Sequence, residues 1–265
     1  MSSNNENLAI QRIAKLVDEN SFMEIGSLVT ARSTDFNLTA AKTPSDGVVI
    51  GHGLIDGNLV FIYSQDASVL NGTIGEMHAK KIAGLYEMAV KAGAPVIELI
   101  DCAGIRVQEA FDALAGFGEI YMAKVKASGI IPQISAVLGS CGGGVAVASK
   151  LSGITLMDAE NGKLFVNSPN AVLGNREEKC DTASAKFQAE AGNADIVCDS
   201  EGEVLSKIRE LIGLLPANAG ASAEEETADD MNRMLDGFDA YKTDAAEALT
   251  QIADENRFIQ LKETY

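Results

Sequence analysis

Apolar side chains recur at helical spacing over residues 8–17 (LAIQRIAKLV), and the pattern then changes to the alternation of a strand in SFMEIGSLV, residues 21–29. Residues 31–47 are polar and rich in breakers, which predicts a loop. GVVIGHGLIDGNLVFIYSQD alternates on both sides of Asp56-Gly57, a dipeptide that supplies the positive-φ residues of a tight turn and so predicts a β-hairpin. From there the period lengthens. Residues 76–91 predict a helix, 94–101 (APVIELID) a buried strand, 108–127 a second helix and 130–139 (IIPQISAVLG) another buried strand. A short helix over 145–152 and a strand over 152–158 follow. Strands with nearly continuous apolar character, separated by helices, predict an α/β domain with a mostly parallel sheet covered on its faces, and the hairpin ahead of the first long helix suggests a repeated unit of two strands and a helix.

After Leu215 the periodicity is lost in PANAGASAEEETADD, which reads as a linker, with residues 219–230 its acidic part. Residues 239–261 then read as one amphipathic helix with a short extended end. The expected organisation is a main domain at 1–218, the linker at 219–230 and a helical tail at 231–265, too short for a core of its own and expected to dock on the main body or on a partner.

Composition narrows the function classes. A chain of 265 residues with 46% apolar and 22% charged residues is ordinary for a globular domain, and no apolar run is long enough for a membrane span. The polar start, MSSNNENLAIQR, has no hydrophobic signal core, so a cytoplasmic location is expected. A net charge of −17 argues against nucleic acid or anionic membranes as partners, because both require basic surface. Cys102, Cys141, Cys180 and Cys198 are far apart, with no CxxC pair, so no metal site or disulfide framework is read, and reduced thiols in the interior are expected.

The chemistry centres on GSCGGGV, residues 139–145, where a strand hands over to a helix. A phosphate loop needs Lys-Ser or Lys-Thr after the last glycine, and Val145-Ala146 stands there. A dinucleotide fingerprint needs GxGxxG at the first strand–helix turn, and neither spacing nor position fits. GxCxG is the thiol form of a nucleophile elbow, but such a Cys141 needs a histidine base, normally later in the chain, and both His52 and His78 precede it; a small buried thiol is the competing reading. The remaining functional reading uses bare backbone. The first amides of a helix lack intrahelical partners, so glycines there can donate to a developing negative oxygen, and the alternative is close packing of helix on sheet. A second glycine loop, IELIDCAGIRVQEA, ends the preceding predicted strand and leads through Gly104 into a helix.

PSDGVVIGHGLIDGNLVFIYSQD, NGTIGEMHAKKI, APVIELIDCAGIRVQEA, IPQISAVLGSCGGGVAVASK and LPAN, in that order, resemble the N-type domain of biotin-dependent acyl-CoA carboxyltransferases, from about Ile10 to Asn218. The resemblance implies a crotonase-like ββα spiral. It also implies transfer of CO₂ between carboxybiotin and the α-carbon of an acyl-CoA, through a thioester enolate that needs an oxyanion hole. Carried to matching positions, the paired glycines fall on Gly143 and Gly144, whose amides would hold the thioester oxygen, with Gly104 and Ile105 as the loop offering a further donor. Biotin would sit on a separate carrier protein, and its decarboxylated anion would take the α-proton, so no protein base is required.

Gly72, Thr73 and Gly75 of NGTIG, with Lys81 and Arg106, are the positions that would meet acyl-CoA. For Lys80 and Lys81 a solvated helix face is the competing reading, and for Arg106 a structural ion pair. The family's C-type half is not seen in this chain, so the resemblance implies a C-type partner subunit, a biotin carboxyl carrier protein and a hetero-oligomer. Two departures bear on the acyl pocket: Cys102-Ala103-Gly104 where Ser-Gly-Gly or Ser-Gly-Ala is usual, and Asn175-Arg176-Glu177 in place of Gly-Glu. Other readings are a biotin-dependent decarboxylase subunit of malonate or glutaconyl-CoA type, a stand-alone crotonase-like hydratase or hydrolase with Glu109 as its carboxylate, and a non-catalytic assembly subunit.

Overall fold

A computed structural model describes residues 7–32, 43–171, 180–221 and 244–265, with isolated positions at 229, 230, 232, 234 and 237–239. The chain opens with helix α1 (Leu8–Leu16), capped by the Asn7 side chain, which accepts the Ala9 and Ile10 amides. Strand β1 (Met23–Ile25) is much shorter than the predicted 21–29, because Gly26 at φ +68 turns the chain away. The hairpin forms as read: β2 (Val48–Ile55) pairs antiparallel with β3 (Asn58–Gln65) around Asp56 and Gly57, both at positive φ. The Asp18 carboxylate secures that turn by accepting both of its amides.

Helix α2 (Glu76–Ala92) ends on Gly93 in the left-handed conformation, and β4 (Val96–Cys102), α3 (Ala110–Ala127) and β5 (Gln133–Gly142) follow. The strand predicted to stop at Gly139 runs three residues further, so Ser140, Cys141 and Gly142 are strand rather than loop. Next come α4 (Gly144–Ser149), β6 (Ile154–Asp158) and β7 (Lys163–Phe165), then α5 (Ala185–Glu190), β8 (Ile196–Cys198) and α6 (Glu201–Leu214). The strands form one sheet in the order β1-β2-β3-β4-β5-β6-β8, with β7 joined to the end of β5; all pairings from β3 onward are parallel.

Two cores lie on the two faces of this sheet. Ile100, Val137 and Cys141 face α2 and α3, where Leu85, Phe117 and Ile120 meet them. Ile97, Leu99, Ala136 and Leu138 face α1 and α6, against Ile13, Leu16 and Ile208. The alternation is that of strands buried on both sides. Within the first core sits a polar island: the Glu98 carboxylate accepts from Tyr63 at 2.9 Å, Ser135 at 2.7 Å and Ser152 at 2.8 Å, and it pairs with Lys124. Burial opposes the charge on Glu98, but Lys124 and the surrounding hydroxyls outweigh it and hold the carboxyl below the usual range.

The tail departs from expectation. Helix α7 (Ala245–Ile252) is its only α-helix among the described residues, and none of its residues is buried. Beyond that helix the end of the chain docks on the main body, as expected of the tail: the Lys262 amide donates to the Asp195 carbonyl at 2.7 Å, and the Tyr265 ring lies against Gly192. At the predicted boundary, Asn218 donates to the Gly93 carbonyl at 2.8 Å and the Ala219 amide to Ile130 at 2.9 Å. Most of the acidic linker and the Asn175-Arg176-Glu177 departure lie outside the described residues. No helix among the described residues is long and apolar enough to cross a membrane.

Candidate active site

Because β4 and β5 are parallel neighbours, their carboxyl ends open on the same edge of the sheet, where α/β folds place ligands. The two glycine loops therefore adjoin. A Cβ on Gly142 would stand 2.9 Å from the Ala103 carbonyl oxygen, and one on Gly104 would stand 3.4 Å from that of Gly142. Gly143 follows at φ 61, ψ −126, a combination that only glycine adopts readily, and a Cβ there would face open space. Gly144 starts α4 against α3, with its absent Cβ 2.9 Å from both Phe117 and the Tyr121 hydroxyl, which donates to the Gly144 carbonyl at 2.8 Å.

An accounting of the amides changes the expected donors. The Gly143 N–H donates to the Phe165 carbonyl at 2.9 Å, an acceptor supplied by β7, so it is already engaged. Gly104 N–H is directed at the Cys102 sulfur at 3.4 Å, and its carbonyl accepts from Ile74. The amides of Gly144 and Val145, at the first positions of α4, have no acceptor among the described residues, and neither has that of Ile105. The Ile105 amide has a defined direction. Ile74 bonds to Gly104 and Arg106 on one side of a parallel bridge, so the residue between them turns its N–H away from Ile74 and toward the β5 side. Of the four expected positions, Gly144 and Ile105 keep free donors, whereas Gly143 and Gly104 shape the turns.

The positions expected to meet acyl-CoA are engaged within the chain, Arg106 in the ion pair that is its competing reading. Arg106 is fully buried, paired with Asp46 and, at 2.9 Å, with Glu109, and it donates to the Thr73 carbonyl at 2.7 Å. Lys81 is also buried, its ammonium bonded to the Ser45 carbonyl at 2.9 Å and to the Ser45 hydroxyl at 3.0 Å. Burial lowers its pKa to about 8, against the pull of Glu24 and Asp46. Neither cation is presented to a phosphate; the sequence shows charge but not the carboxylates and carbonyls that enclose it. The Thr73 hydroxyl donates to the Leu70 carbonyl, a Cβ on Gly72 would collide with the Asp101 carbonyl, and one on Gly75 would collide with Glu109. Lys80 is exposed and pairs with Glu76 at 2.6 Å.

The candidate acids, bases and nucleophiles are likewise occupied. Glu109 is buried, one carboxylate oxygen on Arg106 and the other accepting the Glu76 amide at 2.6 Å, where it caps α2. His78 is buried with Nδ1 donating to the Asp46 carbonyl at 2.9 Å and Nε2 accepting from Gln65 at 3.2 Å, and burial and then Arg106 hold its pKa well below the usual range. Cys141 is fully buried and its thiol is pushed far up by burial, while burial takes Cys102 to about 12; neither is a thiolate nucleophile. Cys198 is buried too, but Cys180 is exposed, contrary to expectation. Sequence reasoning missed Phe165, Tyr121 and Asp101. Only Asp101 had a visible signal, a carboxylate at a strand end immediately before a glycine loop.

The chain is similar to a group of known proteins. Residues 2–265 match the Carboxyl transferase domain. Methylmalonyl-CoA decarboxylase subunit alpha of Veillonella parvula is 34% identical over 269 residues, covering 97% of this chain and 53% of that protein. Propionyl-CoA carboxylase beta chain of Roseobacter denitrificans gives the same identity and the same coverage, 34% over 269 residues with 97% and 53%. The chain thus spans about half the length of the curated relatives it matches. Among solved structures, transcarboxylase 12S with methylmalonyl-coenzyme A and methylmalonic acid bound superposes with a TM-score of 0.88 at 28% identity, over 97% of this chain and 52% of that one. A chain of the Pseudomonas malonate decarboxylase hetero-tetramer in complex with malonate gives 0.70 at 26% identity, over 81% and 84%. The crotonase-like α/β fold that the resemblance implied is thus the fold observed, and with a match running from residue 2 to residue 265 the chain belongs to the carboxyl transferase domain family.

Proposed function

We propose that this chain is the N-type carboxyltransferase part of a biotin-dependent acyl-CoA carboxylase and that its backbone amides hold the thioester oxygen of the acyl-CoA as the enolate forms. The observation that carries this reading is the pair of amides without a partner among the described residues, Gly144 at the start of α4 and Ile105 on the adjoining loop, beside the open side of Gly143. Donors fixed in advance at the place where negative charge develops are the main resource for such chemistry, and the positive end of α4 adds to them. Biotin on a carrier protein supplies and accepts the carboxylate when bound. The chain's own residues orient the acyl group and stabilise the oxyanion; the nearest acid, base and thiol are all enclosed in internal bonds.

That same enclosure counts against a stand-alone hydratase or hydrolase, whose required carboxylate was Glu109. A decarboxylating complex remains the second reading. The same donors serve the reverse transfer, and the relatives include both a decarboxylase subunit and a carboxylase chain. A C-type partner subunit, a biotin carboxyl carrier protein and a cytoplasmic hetero-oligomer complete the proposal. The partner is supported by α3, which starts beside the Ile105 loop and exposes Phe111, Leu114, Met122 and Val125 along one face.

The test is reconstitution. The purified chain should leave propionyl-CoA untouched alone and should support carboxyl transfer once a C-type subunit and a carboxybiotinylated carrier are added. Turnover of acyl-CoA by the chain alone, or no transfer by the complete mixture across acetyl-, propionyl- and malonyl-CoA, refutes it.

A further inference from the structure

The register of β4 against β5 breaks just below the glycine loops. Ile100 stands opposite Val137 and the next pair is Cys102 opposite Cys141, so one residue of β4, Asp101, faces three of β5: Leu138, Gly139 and Ser140. A difference of two residues preserves the alternation of faces, which is why Val137 and Cys141 both remain in the core under α3. The extra length must still be held. Asp101 fills the space: its Oδ1 accepts the Ser140 amide at 3.2 Å, and a Cβ on Gly139 would collide with its carboxylate.

The carboxylate is itself held from the opposite face of the sheet. Oδ2 pairs at 3.1 Å with Arg12 of α1, a buried residue whose guanidinium also bonds Glu201, at the start of α6, at 2.9 Å. The Asp101 amide donates to the Gln65 side chain at 3.3 Å, and its carbonyl abuts Gly72. Beyond the irregularity β5 exchanges β6 for β7 as its neighbour, and the Gly143-Gly144 turn follows within four residues of Ser140. The height and tilt at which that turn emerges are therefore set where Asp101 sits.

We propose that Asp101, braced by Arg12, is a positioning residue: it fixes the irregularity in β5 and, through the strand, aims the Gly144 amide. The inference rests on the oxyanion role proposed above for that amide. It predicts that the acceptor oxygen matters more than the charge, because Arg12 retains Glu201.

The full chain, assembled with its C-type partner and carrier, is compared as wild type, Asp101→Ala, Asp101→Asn, Gly139→Ala and the double variant Asp101→Ala/Gly139→Ala, by amide hydrogen exchange and by steady-state kinetics. Asp101→Ala should speed exchange across residues 139–143 about tenfold, the equivalent of one lost hydrogen bond, while α2 and α3 are unaffected. It should lower kcat by up to about 100-fold through misplacement, with little change in KM. Asp101→Asn should recover most of both. Gly139→Ala should reproduce the defect by displacing the carboxylate, and the double variant should be no worse than Asp101→Ala alone, because the colliding group is gone.

Unchanged exchange in Asp101→Ala overturns the proposal, as does faster exchange with wild-type kcat, or full additivity in the double variant. Should Asp101→Ala fail to fold, Gly139→Ala makes the same displacement with the carboxylate retained. If the wild-type complex transfers nothing, the functional reading fails, and the exchange arm still decides whether Asp101 holds the turn.

Discussion

Gly143→Ala isolates backbone geometry from everything else at the site. A methyl group at this position would have no heavy atom within 4 Å beyond its two chain neighbours, so it fills no pocket. What it opposes is the backbone at φ 61, ψ −126, where a Cβ costs about 1–3 kcal/mol. The chain can keep the turn and lose that much stability, which for a domain of this size lowers Tm by about 2–4 °C per kcal/mol. Alternatively it can relax by rotating the peptide between residues 143 and 144, and that rotation swings the Gly144 N–H out of the site. Losing one such donor costs about 10²–10³ in turnover, or about 2.7–4 kcal/mol of transition-state stabilisation.

The expected result is a folded protein whose kcat in the reconstituted transfer assay falls by a factor in that range with KM nearly unchanged. Gly129→Ala is the control, since Gly129 lies outside the site in the turn between α3 and β5, also at positive φ and with equally open surroundings. It should show a comparable loss of Tm with full activity. Wild-type turnover in Gly143→Ala, or equal activity losses in both variants, would refute the assignment of the Gly144 amide.

Two further predictions concern buried charge. His78 is neutral in the folded chain with its pKa well below 6.5, whereas the unfolded chain takes up a proton near 6.5; stability is therefore full above that pH and is lost as pH falls below it, by at most about 1.4 kcal/mol per pH unit. Urea titrations at stepped pH should show this acid slope flattened in His78→Gln, and an unchanged slope would contradict it. Lys124→Met leaves the Glu98 carboxylate enclosed without its cation and should cost about 3–5 kcal/mol in chemical denaturation, most of it recovered when Glu98→Gln is added; simple additivity of the two would count against the coupling.

Legibility in the sequence followed length and locality. The hairpin announced itself through Asp56-Gly57, and α2, α3 and the buried strands through long uninterrupted periods. Strands β7 and β8 have three residues each, too few to display a period, and are held by partners far away in the chain. The end of β5 was read as loop because Ser-Cys-Gly has loop composition, although pairing with β7 makes it strand. The same distance hid the fate of the Gly143 amide, whose acceptor at Phe165 no local pattern reveals. The role of charge stayed open in the sequence for a different reason. Arg106 and Lys81 appear in the sequence as cations, and only the fold brings Asp46, Glu109 and the Ser45 carbonyl around them.

The bond from Gly143 to Phe165 joins main chain to main chain, so it is indifferent to which side chain residue 165 carries. Substitutions along β7 can thus change the side chains around the turn while its main-chain bond survives. Under the function proposed above, the surroundings of the bound group and the amide that holds its oxygen become separately adjustable.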